Sequence, residues 1–216
     1  MIRRQFLRHT GSPAIAATIL LLATPLTRSW LEAAMSTHML LQMPLLAALG
    51  FMACRQLPAT RQKTLLSVLG GPAACVLIAT FSSSYWMLPR TLDAALSEPA
   101  MEAAKFLTLP LLVGLPLALA WRQLGLIGRG FVWTNFISML AVVGWLYIAA
   151  PLRVCNNYLV DDQSRTGWLM VKLAVSLFAG WLGALFFSDR KRIGTHGRTD
   201  QTSGDALPVW PTLHAG

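Results

Sequence analysis

The chain has 216 residues, 55% of them hydrophobic and only 12% charged, with a formal net charge of +9. Soluble domains carry about 25% charged residues, so this much apolar surface cannot be enclosed in a water-soluble core and the chain belongs in a membrane. The basic balance does not indicate nucleic acid, because the charges fall in short clusters between apolar runs instead of along one face. Three cysteines are too few for a disulfide framework. Cys54 and Cys155 are expected near opposite membrane surfaces and Cys75 between them, with no pair meeting.

The N-terminus, MIRRQFLRH, contains an Arg3-Arg4 pair like that of a twin-arginine export signal. No small-residue cleavage site follows the apolar run at 14–23, so these arginines read as the cytosolic flank of a first span over about residues 13–26. A short turn at 27–34 leads to a second span over 35–54, which Pro44 should kink. After a basic loop with Arg55, Arg61 and Lys63, the third span covers 64–88, with Gly70-Gly71-Pro72 as a break. Leu92, Ala95 and Leu96 are spaced for a short amphipathic surface helix within 89–102. The fourth span covers 103–121, with Pro110 and Pro116 inside it, and the fifth covers 130–150. A polar loop at 151–167 precedes the sixth, at 168–187. The expected fold is therefore an all-α, polytopic transmembrane bundle of about six spans over 1–193. The tail, 194–216, is too poor in apolar residues to fold alone and should be disordered in the cytosol.

Orientation follows from the basic residues. The clusters Arg3-Arg4-Arg8, Arg55-Arg61-Lys63, Arg122-Arg129 and Arg190-Lys191-Arg192 all fall on one side, and most carboxylates fall on the other. The positive-inside rule then places both termini in the cytosol of a multi-pass protein surrounded by lipid. It also places the start of the second span, the 89–102 segment and the 151–167 loop together at the outer face.

The second span carries Met35, His38, Met39, Gln42 and Met43. At about 100° per residue they occupy one arc of a helix, and imidazole with thioethers suits a soft ion such as Cu(I). Met87 flanks the outer 89–102 segment and could face that arc. Cys155, with Arg153 near it to favour the thiolate, could carry or hand over the metal. The competing reading is ordinary: Met fills gaps on packed faces, and the histidine bonds a backbone carbonyl or Glu32. Asp93, Asn156, Asn157, Asp161 and Asp162 concentrate hydrogen-bonding groups in the outer loops, as a partner-docking surface would. Lys105, just inside the fourth span, should pair with a carboxylate such as Glu102. No phosphate-binding glycine loop, Ser-His-Asp arrangement or HExxH motif is present, so an enzyme is not expected.

The string SWLEAAMSTHMLLQMPLLAALG resembles the segment of CtaG-like cytochrome c oxidase assembly proteins in which a histidine-methionine pair opens a helix. YWMLPRTLDAAL resembles that family's Trp-His-Leu-Pro segment and its Asp-Ala-Ala-Leu turn. MEAAKFLTLPLLVGLPLALAW resembles its Glu-His segment and the following span. Together these cover about 24–121 in the same order. His38 fits the first family histidine, but Gln42, Met87 and Ala103 stand where further histidines are expected. The resemblance implies a bacterial inner-membrane protein that assembles a haem-copper oxidase or related respiratory complex, receiving or passing Cu(I) at an outward-facing His/Met site and docking an oxidase subunit or other membrane redox complex. The missing histidines favour a metal-free scaffold as the alternative. A small transporter ranks third, since Pro-broken helices and intramembrane Lys occur in transporters.

Overall fold

Inside a bilayer each backbone N–H and C=O must be paired within its own segment, so long runs of Leu, Ala, Val and Phe can only be helices here. The computed structural model describes the backbone of residues 2–150, 153 and 155–199, and the side chains of 13–150, 153 and 155–184. Helix α1 (Ile2–Ala23) bends by 66° into α2 (Pro25–Glu32). The break falls at Thr24, whose extended backbone (ψ 142) precedes Pro25, as expected of a residue before proline. Helix α3 is Met35–Gln56. Helices α4 (Ala59–Val68) and α5 (Gly71–Trp86) meet at 75°. Their corner uses Gly70 and Gly71 at φ +86 and +90, a left-handed backbone that only glycine adopts without strain.

A short α6 (Pro89–Ser97) follows, amphipathic as expected, with Leu92 and Ala95 buried and Arg90 exposed. Helix α7 is Pro99–Trp121, α8 is Leu126–Ala149, and α9 is Val160–Thr199. Among the described residues, α3, α7, α8 and the 160–184 part of α9 are each long and apolar enough to cross a membrane, and six spans result if each bent pair counts as one. The protein is therefore an all-α polytopic membrane bundle. It divides into two compact units, 1–175 and 176–216; the disordered tail expected from 194 lies, beyond 199, outside the described residues.

The bundle is centred on the α3–α7 crossing. A Cβ on Gly50 would lie 2.2 Å from the carbonyl oxygen of Pro110, and one on Gly114 would lie 2.1 Å from that of Ala47. The two backbones therefore touch, the close approach that small residues permit inside membranes. Helices α8 and α9 repeat the device, with Gly167 against the Gly144 carbonyl.

Both α3 and α7 contain a π-helical stretch, His38–Gln42 and Leu109–Gly114. Met43 N–H reaches the His38 carbonyl, and Leu115 N–H the Pro110 carbonyl. Prolines at 44, 110 and 116 lack the donors of a regular ladder, and a wide turn re-pairs the groups that remain. The kink expected at Pro44 is accordingly a π-turn on its N-terminal side.

At the Gln56 end, Cys54, Leu66, Cys75, Val76 and Leu119 form one buried cluster. The expectation that no two cysteines meet is corrected: Cys54 and Cys75 share this cluster as free thiols, because the α4–α5 bend folds the chain back toward α3.

Candidate functional site

The other end of α3 is different in kind. Arg28 and Glu32, one turn apart on α2, face Glu102 and Lys105, which lie in the first turns of α7. Lys105 is fully buried, and its Nζ lies 2.6 Å from Glu32 Oε1. Arg28 bonds the Glu102 carboxylate and lies 3.5 Å from Glu32 Oε2. Two cations and two carboxylates thus balance, which is the condition for keeping charge away from water.

His38 completes the network, held by the π-turn of α3. Its Nδ1 is 3.0 Å from the Tyr158 hydroxyl, which itself donates to the Glu32 carbonyl at 3.0 Å. Since the phenol proton is used on Glu32, Nδ1 must be the donor and Tyr158 the acceptor. That leaves the Nε2 lone pair for Lys105 Nζ, 3.4 Å away. The connections are satisfied by a neutral imidazole with its proton on Nδ1. Gln42, also fully buried, donates to Glu32 Oε1 at 3.4 Å, while its own Oε1 has no partner among the described residues.

Two carboxylate clamps close this end. Asp162, in the first turn of α9, accepts from the Met35 N–H at 2.7 Å and so caps the N-terminus of α3, where negative charge is favoured. Asp93 of α6 accepts from the backbone N–H of Asn156 at 2.7 Å and of Asn157 at 3.2 Å, and the Asn157 amide returns a bond to the Asp93 carbonyl at 3.2 Å. The polar loop expected over 151–167 is shorter than that, because α9 already begins at Val160. Residues 151, 152 and 154 of the loop lie outside the described residues.

The copper reading is overturned here. Among the described residues no group of three or more His, Cys, Asp or Glu could hold a metal ion. The physical reason is visible at each ligand. Both ring nitrogens of His38 are taken, one by Tyr158 and one by Lys105, and the ammonium beside Nε2 would repel a cation. Met35 and Met39 are fully buried, so this face of α3 packs inward and does not open outward. Met43 and Met87 line an apolar cavity. Cys155 is buried with its Sγ 4.0 Å from the Pro89 carbonyl. Burial and then the Asp93 carboxylate push its thiol up to about 12, so the thiolate expected from Arg153 does not form at neutral pH. Burial foremost, and then Glu32, Asp162, Cys155 and Asp93, push the Tyr158 phenol upward.

Of the residues expected to dock a partner, Asn156, Asn157 and Asp161 are exposed, whereas Asp93 and Asp162, with the Asn157 amide, are committed to the clamps. Sequence reasoning missed Glu32 as the hub, Arg28 as the partner of Glu102, and Tyr158. Glu102 is not the partner of Lys105. A signal existed: Arg28, Glu32, Glu102 and Lys105 are four charges at the ends of apolar helices, at spacings that put each pair on one helical face.

No family model, curated protein or solved structure matches this chain.

Proposed function

We propose that this chain is a metal-free membrane scaffold that supports assembly of a haem-copper oxidase or related redox complex in a bacterial inner membrane. Its termini are cytosolic, and the His38 end faces outward. The resemblance over 24–121 supplies the partner class, and the positive-inside distribution supplies the orientation. The observation that carries the scaffold reading is the closure of the polar network. Every charged group of the Arg28–Glu32–Glu102–Lys105 quartet is paired within the chain. Such a network has no open coordination position to offer a ligand, and what it supplies is a fixed arrangement of α2, α3, α7 and the 155–159 turn. On that arrangement Arg90, Asn156, Asn157, Asp161 and Arg165 are presented to a partner.

The test is a chromosomal deletion with complementation, reading the oxidase haem spectrum of the membranes and co-purification of oxidase subunits with a tagged full chain. Deletion should lower mature oxidase. Wild type and the conservative His38→Gln variant should restore it, while Asn156→Arg/Asp161→Arg should not, although it accumulates normally. Unchanged oxidase on deletion sinks the proposal.

One observation favours a second reading. The two bent helix pairs, at 66° and 75°, together with the buried Lys105, are features of small transporters. Solute flux in vesicles that disappears in Lys105→Met would establish it in place of the scaffold.

A further inference from the structure

A cavity of about 400 Å³ lies within the spans, between α3, α5, α7 and α8. Its wall on α7 reaches from Leu109 to Trp121, about 18 Å at 1.5 Å per residue, so it is a long slot instead of a round void. Its lining is almost wholly apolar, and Trp86, Trp121 and Trp133 present indole surface to it. Trp86 is pinned by a 2.9 Å bond from its Nε1 to the Thr108 hydroxyl. Voids of this size do not stay empty in a bilayer, where chains of lipid-soluble molecules are the solvent.

One lining residue is out of place. Asn135 of α8 faces the cavity, and its carboxamide has no hydrogen-bond partner among the described residues. It lies about 14 Å along α8 from Leu126, at a depth well inside a hydrocarbon core of about 30 Å. An unpaired amide costs several kcal/mol in such surroundings, so its natural partner is a polar atom carried on an apolar molecule. The ester groups of phospholipids sit at the bilayer boundary, and acyl chains carry no acceptor at mid-depth. A neutral ring bearing carbonyl acceptors on a long hydrocarbon tail meets every condition. Its flat face suits the indoles, its carbonyl suits the Asn135 N–H, and its tail suits the slot.

We propose that this cavity binds an isoprenoid quinone, with Asn135 Nδ2 donating to a ring carbonyl, the ring lying toward Trp133 and the tail running along the slot. The assignment is to binding and does not depend on the scaffold reading.

The full chain in phosphatidylcholine nanodiscs is titrated with a short-tail ubiquinone or menaquinone analogue, and quenching of tryptophan fluorescence is followed against the same nanodiscs containing each variant. Parallel nanodiscs carry phospholipid with dibrominated acyl chains, whose quenching in excess of that seen with Ala79→Phe reports an acyl chain in the slot, since exposed Trp145 and Trp168 are quenched in every variant. Saturable quenching by quinone, weakened about tenfold in Asn135→Leu by loss of one hydrogen bond, is the expected result. Ala79→Phe, which fills the cavity, should abolish saturation; Ala48→Phe, on a more exposed part of the wall, does the same if the first variant fails to fold. Quenching that rises linearly with partitioned quinone and is identical in all variants overturns the proposal. Excess quenching by brominated lipid that quinone cannot displace, with no effect of Asn135→Leu, overturns it in favour of an acyl chain.

Discussion

Two helix contacts in this bundle are built on opposite plans. Helices α3 and α7 meet backbone to backbone through Gly50 and Gly114, with no room for a single Cβ. Helix α8 faces the same pair across the cavity with Trp133, Phe136 and Met139, large side chains that hold it away. In lipid the hydrophobic effect does not distinguish these contacts, since tails are as apolar as Leu. Close packing and polar pairing decide which helices stay together. The α3–α7 contact has both, because it also joins the His38 turn to Lys105. The α8 contact has neither over its middle, which is why a ligand-sized space survives there.

The widest separation between the two plans should come from Gly114→Leu. Its side chain starts 2.1 Å from the Ala47 carbonyl, so α3 and α7 must part. We expect a loss of about 3 kcal/mol or more, or no folded protein, by thermal unfolding in detergent and size-exclusion chromatography. At the cavity, Ala79→Leu should change stability by less than about 1 kcal/mol, because the added methyls enter space instead of backbone. Equal damage from both substitutions would erase the distinction.

Next in size is the ion pair. Lys105→Met leaves Glu32 with only the longer contacts from Arg28 and Gln42 and should cost about 3 kcal/mol. Lys105→Met/Glu32→Gln removes both charges and should recover most of that loss, whereas a plain packing role for the lysine stem would leave the double variant no better than the single. Smaller again is Asp93→Ala, which releases the Asn156–Asn157 turn at an exposed site and should cost about 1 kcal/mol. Limited proteolysis should then cut within 153–159 while the spans stay protected.

The last effect is a pH dependence at the same end of the molecule. Cys155 holds its proton up to about 12 in the folded chain but only to the ordinary thiol range once unfolded. The folded state therefore binds more protons between about 9 and 12, and stability falls as pH rises through that window, by at most about 1.4 kcal/mol per unit for this group. The upward push on Tyr158 acts in the same direction. Below the ordinary thiol value neither contributes any slope. Iodoacetamide should label Cys155 at pH 8.5 only after unfolding, and rapid labelling of the native chain would contradict its burial.

The histidine-methionine arc shows why the candidate site was only half legible. The sequence places Met35, His38, Met39, Gln42 and Met43 on one helical face, and that face is indeed continuous and buried. Periodicity says which residues share a face but not what stands opposite. Here the facing groups are Lys105 from α7 and Tyr158 from the turn before α9, 67 and 120 residues away. An ammonium and a phenol against an imidazole make a hydrogen-bonded lock, where thioethers or a second imidazole would have made a metal site. The break at Gly70-Gly71 was legible because a left-handed backbone is a local demand. The meeting of Cys54 with Cys75 was not, since it depends on how far that break turns the chain.

What the sequence determined by itself is the class of solvent and the type of element: 55% hydrophobic residues in span-length runs require a membrane, and a membrane requires helices. Glycine and proline positions also marked where those helices bend, because backbone freedom is a property of single residues. Only the tertiary structure decided the pairing of the charges, the occupation of both His38 nitrogens, the burial of Cys155 and the gap beside α8. Each of these is a relation between residues distant in the chain, and the energy of a buried polar group is fixed by its partner, not by its own identity.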